Sequence, residues 1–110
     1  MFQTNGGAKT VKITLDTRFN GSLGPITLRE AVQQLKEHDL TCTVPADVVE
    51  RKVTVFSDCV ERGFTPLRSE IMAAYYIAER DATSEAFDRG LITEGELQQR
   101  HTTLARQFLS

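Results

Sequence analysis

A chain of 110 residues, 40% of them apolar and 25% charged, can bury one real core and is too short for two. Its 13 basic and 15 acidic residues leave a net charge of -2, without the basic excess of a dedicated nucleic-acid binder. No apolar run is long enough to span a membrane, and two cysteines are too few for a disulfide framework.

Residues 1–8 are polar and glycine-containing and read as a frayed end. They have neither the positive start nor the apolar centre of a signal peptide, so a cytoplasmic protein with reduced thiols is the default expectation. Residues 10–16 then alternate strictly, with Val11, Ile13 and Leu15 on one side and Thr10, Lys12 and Thr14 on the other. That pattern predicts a half-buried strand. The turn dipeptides Asn20-Gly21 and Gly24-Pro25 predict a loop over 18–25.

Thr27 followed by Glu30 forms a capping-box signature, and Leu28, Ala31, Val32 and Leu35 make the stripe of a first helix ending near His38. Residues 40–44 form a second short strand candidate stopped by Pro45. Residues 46–62 fit two patterns. Val48, Val49, Val53, Phe56, Cys59 and Val60 suit a helix closed by Gly63, whereas the β-branched alternation of 52–57 suits a strand. The helix is preferred because its spacing continues past both ends of the alternating run. Thr65-Pro66 predicts the start of the next helix, with Leu67, Ile71, Ala74, Tyr75 and Ala78 in a stripe to about Arg80. Met72, Tyr76 and Ile77 widen that stripe, which predicts a central helix or one at an oligomer interface.

The tail, residues 83–109, reads as a helical hairpin. Gly90 can take the left-handed conformation that closes one helix. Thr93 can cap the next, with Glu96 completing the capping box. Leu97, His101, Leu104 and Phe108 follow on one face.

Chemistry-bearing constellations are sparse. Nucleophilic catalysis needs a nucleophile, a base and an orienting group. The histidines are His38, at a helix end, and His101, on the tail stripe, where packing is the commoner use. Cys42 and Cys59 read as small buried hydrophobes. His38 and Cys42 are four apart, but a structural zinc site wants paired ligands at fixed short spacings. Gly90, Ile92 and Glu96 match the second half of a calcium loop, yet the ligand places of its first half would hold Phe87 and Arg89. No glycine pattern matches a phosphate loop or dinucleotide fingerprint. No catalytic, metal or cofactor residue is therefore assigned.

Two stretches resemble known families. Gly90, Leu91, Ile92, Thr93 and Glu96, followed by Leu97 and Leu104, resemble the short C-terminal domain called SHOCT, and that resemblance implies packing or oligomerisation without catalysis. Residues 40–80 resemble a ribbon-helix-helix DNA-binding fold, with 40–44 as the ribbon, 46–62 as the first helix and 68–74 opening the second. That resemblance implies a dimeric repressor in which Thr41 and Thr43 touch bases and Arg68 helps hold phosphate. The ribbon lacks Arg, Lys, Asn and Gln, the usual base readers, and the turn at 63–68 is longer than the family's.

The expected fold is α+β, one domain over 1–110, with a short N-terminal strand element packed on a bundle of four to five helices. The expected function is that of a small non-enzymatic regulatory protein that binds another protein, as an oligomer. Its expected interface is Leu67, Ile71, Met72, Tyr75, Tyr76, Leu97, Leu104 and Phe108. The ribbon-helix-helix repressor stands second, and an enzyme with a carboxylate-only site third.

Overall fold

The computed structural model describes residues 12–110, and among these residues the only sheet forms where a loop was expected. Strands β1 (Arg18–Gly21) and β2 (Gly24–Thr27) pair antiparallel, with Phe19 opposite Ile26 and Asn20 opposite Pro25. The connection is the two residues Ser22 and Leu23. It closes because Gly24 takes φ +121°, a conformation that side chains rarely adopt. Pro25 is tolerated because a two-stranded sheet has only edge strands, where a missing N–H need not break a ladder. The turn dipeptides thus marked a hairpin, and the strands around them were too short to show a period.

The strand expected at 10–16 is corrected. Residues 10 and 11 lie outside the described residues, as do residues 1–8, and 12–16 carry no strand. Local hydrogen bonds compete with sheet pairing here. Thr14 N–H donates to Thr17 Oγ1 at 2.9 Å, and Asp16 N–H donates to Thr14 Oγ1 at 3.2 Å. The inward side of the alternation survives, with Ile13 buried and Leu15 half-buried.

Helix α1 (Leu28–Glu37) starts on the expected capping box. Thr27 N–H donates to Glu30 Oε1 at 3.0 Å, and Glu30 N–H donates to Thr27 Oγ1 at 3.2 Å. Leu28, Ala31 and Val32 are its buried face. It ends at His38, after which Asp39 takes the left-handed conformation (φ 54°) and Leu40 N–H returns to the Leu35 carbonyl at 2.8 Å.

The strand candidate at 40–44 is also corrected. Only Val44 pairs, in a single parallel bridge to Leu109, with hydrogen bonds to Phe108 and Ser110. A 3-10 turn (Ala46–Val48) then leads into α2 (Val49–Arg62), which resolves the ambiguous stretch as helix. Gly63 closes it at φ 77°.

Helix α3 (Arg68–Asp88) departs from expectation at both ends. Its cap is Leu67, whose N–H donates to the Glu70 carboxylate at 2.8 Å, so Thr65 and Pro66 fall in the preceding loop. It also runs unbroken through residue 80 and absorbs the first arm of the tail hairpin, because nothing between 80 and 88 breaks a helix. The bundle therefore has four helices among the described residues. At Gly90 (φ 74°) the chain turns into α4 (Glu94–Phe108). Gly90 N–H meets the Phe87 carbonyl and Leu91 N–H the Ala86 carbonyl, a Schellman closure. The Thr93–Glu96 box then caps α4, with bonds of 2.9 and 3.2 Å.

Helix α3 is the axis of the molecule and packs against α1, α2 and α4. That is why Ile71, Met72, Ala73 and Ala74 are buried in succession, where a one-sided helix would bury only every third or fourth residue. Phe19 meets Phe56 edge-on at 5.1 Å and fastens the hairpin to α2. The architecture is α+β, a two-stranded hairpin on a four-helix bundle. Among the described residues no helix is long and apolar enough to cross a membrane.

Candidate interaction surface

Among the described residues the exposed large hydrophobics are Leu23, Leu40, Val55, Phe64, Leu67, Phe87 and Leu91, and two of them, Leu23 and Leu40, line a groove beside the hairpin. Leu23, on its tip, is 95% exposed, although leucine is among the residue types most often buried. It stands on the lip of a groove of about 450 Å³ between the hairpin and α1, with Pro25, Ile26, Leu35, Leu40 and Ile71 among its lining. Leu40 is 43% exposed, and Leu67, four residues before Ile71, is 63% exposed. Gln34 and His38 supply polar groups to the same groove. Its shape is held from several sides. Asn20 Nδ2 donates to the Gly63 carbonyl at 2.9 Å, tying the hairpin to the α2–α3 turn, and Arg68 Nη1 donates to the Leu40 carbonyl at 3.3 Å.

The eight residues expected at an interface are divided by the structure. Ile71, Met72, Leu104 and Phe108 are buried inside the single chain. Tyr75 is half-buried and meets Phe108 edge-on at 5.4 Å, Tyr76 is half-buried beneath Arg80 at 5.8 Å, and Leu97 is half-buried. Only Leu67 stands well exposed. The double width of α3 is thus used by α1, α2 and α4. Leu23 and Leu40 take its place as candidate contacts. Leu23 carried one available signal, a lone leucine between turn-forming residues where no core demands it.

Of the residues considered for DNA, Thr41 and Thr43 are both exposed, and the bond from Arg68 to Leu40 brings its guanidinium to the backbone next to Thr41.

Other reactive side chains have ordinary surroundings. Ser84 Oγ lies 3.4 Å from His101 Nε2 between α3 and α4, with no acidic partner bonded to the imidazole among the described residues. Burial first, and then the charges of Glu70 and Asp58, push the Cys59 thiol up, away from the thiolate that reactive cysteines need. Burial, followed by Glu79, likewise raises Tyr75 against a smaller lowering by Arg29. The backbone N–H and then the hydroxyl of Thr27 hold Glu30 below the usual carboxylate range, and Thr93 acts in the same way on Glu96. Among the described residues no three His, Cys, Asp or Glu side chains converge to hold a metal ion.

No protein-family model, no curated protein and no solved structure matches this chain.

Proposed function

We propose that this chain is a small non-enzymatic regulatory protein that acts by binding another protein, and that it does so as an oligomer, through the groove between the hairpin and α1. The observation that carries this reading is Leu23, held 95% exposed on the rim of an apolar groove. Burying a leucine side chain is worth roughly 1.5–3 kcal/mol, so a leucine presented in this way is a ready anchor for a partner. Leu40 and Pro25 line the same groove and extend its apolar surface, and contiguous apolar patches mark interaction sites.

Light scattering across a concentration series tests the self-association. The expected outcome is a mass above that of one chain for the native protein, reduced toward one chain by Leu23→Ser. A mass of one chain at every concentration would overturn the oligomeric reading.

A second reading, a DNA-binding repressor resembling the ribbon-helix-helix fold, is supported by the exposure of Thr41 and Thr43 and by the bond that holds Arg68 at the backbone next to Thr41. In that reading, replacing Thr41 and Thr43 relaxes sequence preference, and Arg68→Ala weakens binding to all duplexes alike. Failure to shift any duplex at low salt, where electrostatic attraction is strongest, would end it.

A further inference from the structure

We draw no further inference here: the strongest candidate, the apolar groove between the hairpin and α1 as the seat of one defined occupant, belongs to the site already described, and nothing in the structure shows which chain covers it.

Discussion

At the scale of single residues, Asp39 holds the left-handed position after a helix that glycine most often fills. Its left-handed backbone (φ 54°) closes α1 and lets Leu40 N–H reach back to Leu35. An ordinary side chain there costs roughly 1–2 kcal/mol, and glycine returns roughly 0.4–1 kcal/mol of that through the larger entropy of its unfolded chain. Aspartate tolerates the conformation better than most residues, so the lower end applies. Asp39→Gly should therefore stabilise the protein by about 0.5 kcal/mol, read as a higher urea midpoint at unchanged slope. A lower midpoint would mean that the aspartate side chain contributes something its geometry does not show. Leu23 is the opposite case, a residue with no stabilising contact to lose. Leu23→Ser should leave the melting temperature of dilute protein unchanged while weakening association. If the variant melted earlier with no change in association, Leu23 would belong to the fold and not to a binding surface.

At the scale of elements, two helices begin on the same device. Thr27 with Glu30 and Thr93 with Glu96 each satisfy backbone N–H groups that a helix start leaves without intrahelical partners. Loss of the Thr93 cap should cost roughly 0.5–2 kcal/mol, and it should appear as a lower melting temperature with binding by the folded protein intact. Loss of binding without any change in melting would make the α3–α4 turn a contact site. The same caps give a pH dependence whose sign is fixed by the direction of the shifts. Glu30 and Glu96 titrate lower in the folded chain than in the unfolded one, because the ionised carboxylates accept these hydrogen bonds. Their contribution is complete above the ordinary glutamate range and is lost as pH falls through that range to the lower folded values. The paired change Glu30→Gln and Glu96→Gln should flatten this acid limb of stability. An unaltered limb would place the acid sensitivity on other carboxylates.

At the scale of the whole molecule, the hairpin is joined to α2 through Phe19, which meets the fully buried Phe56 edge-on. Phe56→Ala should cost roughly 3–5 kcal/mol, the range for truncating a buried aromatic. In a double-mutant cycle with Phe19→Leu, the ring pair should show a coupling of roughly 0.5–1.5 kcal/mol. Zero coupling would mean that the hairpin is held by other contacts, such as the bond from Asn20 to Gly63. Because the groove lies between the hairpin and α1, loosening this junction should also weaken association in variants that remain folded.

The elements that were legible in advance are those specified by residues close together in the chain. The capping boxes at Thr27 and Thr93 and the closures at Gly63 and Gly90 depend on hydrogen bonds and side-chain spacing within a turn or two, whereas residues 46–62 fitted two patterns and were only preferred as helix. Local chemistry is enough to determine such features. The helical part of the α+β class followed from them; its strand part was expected at 10–16, and among the described residues it is the hairpin over 18–27. What the sequence could not decide was which partner each apolar face would take. The patterns at 10–16 and at 40–44 are compatible with a strand, but a strand exists only where another supplies the opposite edge, and in 40–44 Val44 alone finds a partner, Leu109. The width of α3 is likewise the same whether three helices of one chain or a second chain covers it. Tertiary packing chose the first, burying Ile71, Met72, Leu104 and Phe108, and left Leu23, Leu40 and Leu67 outside as the candidate contacts. Burial is a relation between segments far apart in the chain, which is why the core and the interaction surface became distinguishable only in the folded molecule.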